Sequence, residues 1–126
     1  MDWAEAVQKE TEAFRGTAGV VVSSLADGRR LSHNADRVFS SASLIKLGVL
    51  YTLFSKHASG EIDLDEVHGF SSAECADGGL LHRVRSGARL RLDDLALLMI
   101  SVSDNTAANL LIDRLGMDAV NGGIRE

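Results

Sequence analysis

The sequence predicts an α+β fold in which helix predominates and strands are few. Three observations carry this. Residues 18–25 form a β-branched apolar run centred on Val20-Val21-Val22, followed at once by the turn pair Asp27-Gly28. Residues 43–57 place Leu44, Leu47, Leu50, Tyr51, Leu53 and Phe54 at helical spacing. Helical periodicity returns between Leu92 and Leu115. The chain has 126 residues, 45% hydrophobic and 25% charged, enough to bury a core and unlike collagen, low-complexity or disordered sequence.

Taken in order, residues 2–15 read as an amphipathic helix, with Trp3, Ala6, Val7, Glu10 and Phe14 in register and Gly16 as its stop. The strand at 18–25 turns through Ala26-Asp27-Gly28-Arg29 and returns over Arg30–Asn34. The helix from Ser43 to His57 is apolar on several sides, which predicts a core helix, and Ser59-Gly60 ends it. Residues 61–69 read as an acidic connection and 70–87 as an irregular Gly/Ser-rich stretch, with no convincing third strand. A helix opens at Leu92-Asp93-Asp94-Leu95, with Leu95, Leu98, Met99 and Val102 as its stripe, and breaks at Ser103-Asp104-Asn105. The next runs from Thr106 to Leu115 and stops at Gly116, a residue suited to a left-handed C′ position. Residues 117–126 could begin another helix, which Gly122-Gly123 continues poorly. No internal repeat or domain boundary is visible.

Composition narrows the function classes. The formal net charge is −5 and no Lys/Arg block exists, so no nucleic-acid partner is expected. Arg83, Arg85, Arg89 and Arg91 alternate with apolar residues and read as a solvated connection. No run approaches the roughly 20 apolar residues of a membrane span, and the acidic start, Met1-Asp2-Trp3-Ala4-Glu5, lacks the basic region of an export signal. The single cysteine, Cys75, excludes an internal disulfide and reads as a small, partly buried apolar residue. His33, His57, His68 and His82 lack metal-ligand spacing, and Asp63–Glu66 reads as a solvated acidic turn. No metal or cofactor is expected.

Two short patterns could carry chemistry. In Ser43-Leu44-Ile45-Lys46 the serine and lysine stand three apart at the head of a helix, so hydroxyl and amine share a face. The apolar neighbours of Lys46 would desolvate its amine and favour the neutral form, while the helix start favours negative charge building on oxygen. That is what an activated serine nucleophile requires. Alone, the pattern reads as a helix cap and a lysine reaching to water. Ser103-Asp104-Asn105, alone, is a helix cap. Together, Ser-x-x-Lys heading an apolar helix and Ser-Asp-Asn in an interhelical loop some 60 residues later form a two-part signature.

On these residues the chain resembles a class A β-lactamase, within the larger family of penicillin-recognising serine acyl-transferases. Ser101–Leu111 resembles that family's loop and following helix nearly residue for residue, Val38–Lys46 its approach to the nucleophile, and residues 18–33 its first two strands. The resemblance implies a helical subdomain beside an antiparallel sheet, with the nucleophile at their junction. It implies Ser43 as the acylated nucleophile, Lys46 as a participant in its activation, Ser103 as the proton relay to the leaving nitrogen, and Asn105 as the hydrogen-bond partner of the substrate's side-chain amide. Asp104 would hold the loop, the Ser43 N–H would be one oxyanion donor, and residues 78–82 would border the cleft. The substrate would be a β-lactam or a peptidoglycan-type small molecule, and the location periplasmic or secreted, with the cytoplasm as the alternative.

The chain departs from the pattern in two respects. The family's Lys-Thr-Gly element has no counterpart, since the lysines are Lys9, Lys46 and Lys56, and no glutamate here fits the deacylating role, Glu126 included. Residues 1–126 are therefore expected to be the N-terminal portion of one β-lactamase-like domain, with the later strands and closing helix absent. The strand at 18–25 would then offer an unpaired edge, open to a homodimer or a domain swap. A class A β-lactamase of poor turnover, a penicillin-binding D,D-peptidase-like hydrolase, and a non-catalytic fragment that folds or binds only with a partner all remain open on the sequence.

Overall fold

The computed structural model describes residues 2–125. Contacts divide the chain into two compact units, one ending at Ser40 and the other beginning at Ser41.

The first unit holds α1 (Trp3–Ala13) and the antiparallel strands β1 (Val20–Ser23) and β2 (Arg30–His33), in register Val20↔His33 to Ser23↔Arg30. Arg29, in the hairpin turn, ties the turn to the helix start. Its guanidinium pairs with Asp2 at 2.9 Å and Asp27 at 2.7 Å and lies 5.2 Å from the centre of the Trp3 ring. The Asn34 side chain donates to the Ala18 carbonyl at 2.9 Å and closes the open end of the ribbon. No described residue of this unit is fully buried. A helix and two strands offer too little apolar surface to make a core of their own.

The second unit is built on α2 (Ile45–Ala58), which a single 3₁₀ turn (Ala42–Leu44) leads into. It continues through β3 (Val67–Gly69) and β4 (Arg89–Arg91) to α3 (Leu92–Ser101), α4 (Asn105–Leu115) and α5 (Met117–Gly123). The core lies where Val49 and Leu53 of α2 meet Leu95 and Met99 of α3, Leu111 of α4 and Val120 of α5. A bidentate pair at 2.7 Å between Arg114 and Glu66 fastens α4 to the segment before β3.

Three expectations are corrected. The connection and the arginine-rich stretch hold a second antiparallel ribbon, with His68 opposite Leu90. Its strands are three residues long, too short for alternation to stand out, and only Leu90 turns inward between two exposed arginines. The helix α5 forms through Gly122-Gly123, and Gly123 serves packing: a Cβ on it would lie 2.8 Å from the Thr52 hydroxyl, one on Gly48 would lie 2.5 Å from Ile124, and one on Gly122 would meet nothing within 4 Å. The crossing of α2 and α5 therefore needs bare backbone on both sides. Finally, α2 is a core helix on one side only; Leu47, Tyr51 and Phe54 remain 59%, 49% and 47% exposed. Gly116 adopts φ 82°, as expected of the residue after α4. None of the described helices is long and apolar enough to cross a membrane.

Candidate active site

The start of α2 and the loop between α3 and α4 bring all four expected residues together. Ser43 lies in the 3₁₀ turn, just after Ala42, whose φ of 44° is left-handed and strained for a residue with a side chain. Ser103 has φ 55°, the second such residue of this unit, which turns the chain sharply between α3 and α4. Both distortions flank the hydroxyls that meet: Ser43 Oγ and Ser103 Oγ are 3.2 Å apart.

Beneath them lies Lys46, 5% exposed. Its Nζ donates to the Ser103 carbonyl at 2.6 Å, to Ser103 Oγ at 2.8 Å and to Asn105 Oδ1 at 2.8 Å. Its Nζ thus meets three oxygens, two of Ser103 and one of Asn105. The expected neighbourhood of Ser43 and Lys46 is thus realised through the Ser103 hydroxyl, which touches both. Ser43, Ser103 and Asn105 face solvent while Lys46 is covered. Asn105 is held at both ends of its amide, since its Nδ2 donates to the Asp77 carbonyl at 2.6 Å.

Asp104 anchors the loop. It is fully buried. Its Oδ1 accepts from the Ala107 N–H at 2.9 Å, capping α4, and its Oδ2 accepts from the N–H groups of Leu80 at 2.6 Å and Leu81 at 2.8 Å. Burial alone would push the carboxyl up. The backbone N–H groups of Ala107, Leu81, Leu80 and Thr106 outweigh it and hold the group below the ordinary carboxylate range. Gly79 makes this clamp possible: it adopts φ 84°, and a Cβ there would fall on the Asp104 carboxylate. Thr106, also buried, adds a second tie by accepting from the Ala76 N–H at 2.9 Å.

Residues 76–81 are thereby bound to the Ser-Asp-Asn loop through main-chain groups. The Asp77 carbonyl, the Leu80 and Leu81 N–H groups and Thr106 carry no side-chain pattern that a sequence reading could single out. Cys75 is a free, partly buried thiol at the edge of this loop, packed against the core.

The model of the β-lactamase enzyme family matches residues 2–126. The chain belongs to that family. A β-lactamase of Rhodobacter capsulatus is 29% identical over 112 residues, covering 89% of this chain and 38% of that protein. The crystal structure of a β-lactamase from Sphaerobacter thermophilus superposes with a TM-score of 0.84 at 38% identity, over 97% of this chain and 47% of that one. The structure of PBP-A superposes with a TM-score of 0.85 at 30% identity, again over 97% and 47%. The chain thus spans somewhat over a third of the curated relative and about half of the solved ones. The architecture is that of the family's helical subdomain, with small and incomplete sheets, as the α+β expectation had it.

Proposed function

We propose that the chain carries the acylating half of a class A-type serine β-lactamase site and forms an ester with β-lactams at Ser43. The observation that carries this is the unbroken contact from Lys46 Nζ to Ser103 Oγ at 2.8 Å and on to Ser43 Oγ at 3.2 Å. Ser43 Oγ attacks the lactam carbonyl; the Oγ–C bond forms and the ring C–N bond breaks. The Ser43 hydroxyl proton passes to Ser103 Oγ, 3.2 Å away, as the Ser103 hydroxyl gives its own proton to the departing nitrogen. Nothing is lost from the drug, so the adduct has the mass of the whole molecule. Asn105, fixed by Lys46 and Asp77, presents its amide to the acyl side chain. The N–H of Ser43 serves as an oxyanion donor. The compartment is the periplasm or the exterior, where cell-wall precursors and β-lactams are met.

A second reading is a penicillin-binding, D,D-peptidase-like protein that acylates and deacylates slowly. The superposition on PBP-A, at a TM-score of 0.85 and 30% identity, supports it. Intact-protein mass spectrometry after incubation with benzylpenicillin separates the readings. A persistent adduct, absent in Ser43→Ala and slowed at least about a hundredfold in Lys46→Met, supports acylation with slow release. Loss of the drug without an adduct supports turnover. If wild-type protein gains no mass and leaves the drug intact, the acylation proposal is wrong.

A further inference from the structure

The sequence holds two Asp-Gly pairs, Asp27-Gly28 and Asp77-Gly78. Aspartate before glycine is the pair in which a main-chain nitrogen most readily attacks the preceding side-chain carboxyl, because no Cβ shields that nitrogen and glycine leaves the chain free to turn. Both pairs are exposed, so access does not distinguish them. Their partners do. In the hairpin both reacting groups are engaged: the Gly28 N–H donates to the Ser24 carbonyl at 3.0 Å, and the Asp27 carboxylate accepts from the Arg29 N–H at 3.2 Å and from Arg29 Nε at 2.7 Å.

Beside the Ser-Asp-Asn loop both groups are free. Among the described residues neither the Asp77 carboxylate nor the Gly78 N–H has a hydrogen-bond partner. The bond Asp77 does make is through its main-chain carbonyl, which accepts from Asn105 Nδ2 at 2.6 Å. The related pair Asn121-Gly122 lies within α5, where the glycine N–H belongs to the helix ladder.

We propose that Asp77-Gly78 is a site of spontaneous aspartate isomerisation, a covalent change that the candidate site undergoes with water alone. The Gly78 nitrogen attacks Cγ of the protonated Asp77 carboxyl. The N–Cγ bond forms, the Cγ–OH bond breaks, and the hydroxyl leaves with the amide proton as water, giving a cyclic succinimide. Water then opens the ring. Opening at Cγ restores aspartate. Opening at the main-chain carbonyl carbon of residue 77 breaks its bond to the Gly78 nitrogen, which regains a proton, and the chain now runs through Cβ and Cγ as isoaspartate. The final mass is unchanged. The contacts around the loop give this change a consequence. The Ala76 N–H is tied to Thr106 Oγ1 at 2.9 Å, and the Leu80 and Leu81 N–H groups to Asp104. The stretch between these ties is pinned at both ends, and isoaspartate lengthens its main chain by one carbon. The carbonyl that holds Asn105 becomes a carboxylate branching off the chain, so Asn105 loses its fixed partner.

The test incubates the native chain in mildly acidic buffer beside the same chain held unfolded in urea, and locates isoaspartate by peptide mapping with electron-transfer fragmentation. The unfolded chain supplies the reference ratio of the two Asp-Gly rates, expected within about twofold of unity because the reacting pair is the same. In the folded chain the ratio should favour Asp77 by at least about tenfold over that reference, since Asp27 and Gly28 must first be released from their partners. The control is Asp77→Glu, whose attack would have to close a larger ring; a change at Gly78 is less clean, because a Cβ there would lie 3.1 Å from Asn105 Nδ2. Fresh Asp77→Glu should melt as the wild type does, its carboxylate having no partner to lose, and ageing should lower the melting temperature of the wild type more than that of the variant. A folded ratio no greater than the unfolded one, no conversion at Asp77 over a period in which the unfolded chain converts, or equal effects of ageing on wild type and Asp77→Glu would each overturn the proposal. Acylation does not enter these readouts, so failure here is separate from failure of the Ser43 reading.

Discussion

Replacing Asp104 by Asn removes one charge from a fully buried position while keeping its volume, and the structure fixes what that costs. The carboxylate satisfies three main-chain donors at once: Ala107 N–H on Oδ1, and Leu80 and Leu81 N–H on Oδ2. An asparagine has one acceptor oxygen. If that oxygen takes the place of Oδ2, its NH₂ group faces the Ala107 N–H and the α4 cap is lost, at about 0.5–2 kcal/mol. If it takes the place of Oδ1, two N–H groups near the core lose their partner, at about 1–3 kcal/mol each. The first arrangement is the cheaper. Adding the repulsion of two facing donors, we expect a loss of roughly 2–3 kcal/mol in urea or guanidinium unfolding. The pH dependence provides a second check. The native carboxyl is held below its unfolded value, so its contribution is fully present above the unfolded value near pH 4 and is lost as pH falls through the lower native value. The gap between wild type and Asp104→Asn should therefore be constant at neutral pH and narrow below about pH 4. A loss below about 0.5 kcal/mol, or a gap that widens in acid, would refute this account of the clamp.

Two further outcomes follow from the same packing. Gly79→Ala places a Cβ on the Asp104 carboxylate at a left-handed backbone position, so it should destabilise by about 2 kcal/mol or more; an unchanged melting curve would mean the loop has another way to close. Leu53→Ala empties a fully buried site between α2 and its neighbours and should cost about 2–5 kcal/mol in denaturant unfolding, whereas Leu47→Ala, on the exposed face, should cost under about 1 kcal/mol. Equal losses at the two positions would contradict the one-sided burial of α2.

The four candidate site residues stand out in the sequence because Ser-x-x-Lys at a helix start and Ser-Asp-Asn some 60 residues later are short patterns that occur together, either of which alone reads as a helix cap. The first ribbon was legible for a similar reason: β-branched residues flanking an Asp-Gly turn specify a hairpin within one stretch of chain. The ribbon of β3 and β4 was not. Its strands are three residues each and about twenty residues apart, so their pairing depends on where α3 and the Glu66–Arg114 pair place them. The helix over Gly122-Gly123 runs against local propensity, and what favours glycine at position 123 is the approach of Thr52 and Tyr51 from another helix.

By itself the sequence determined the helical class, the hairpin and the places where α3 and α4 end, because each follows from spacing or turn chemistry within a few residues; the four polar residues are singled out by two distant motifs taken together and by the family resemblance. Only the tertiary structure decided how those four residues meet. Ser43 and Lys46 communicate through the Ser103 hydroxyl, 57 residues beyond Lys46, and Asn105 is held by a carbonyl at Asp77. Those contacts require Asp104 to be buried and paired with backbone N–H groups from a distant loop. A buried carboxylate is stable only when every donor reaches it at once, and that depends on the fold rather than on any local stretch of sequence.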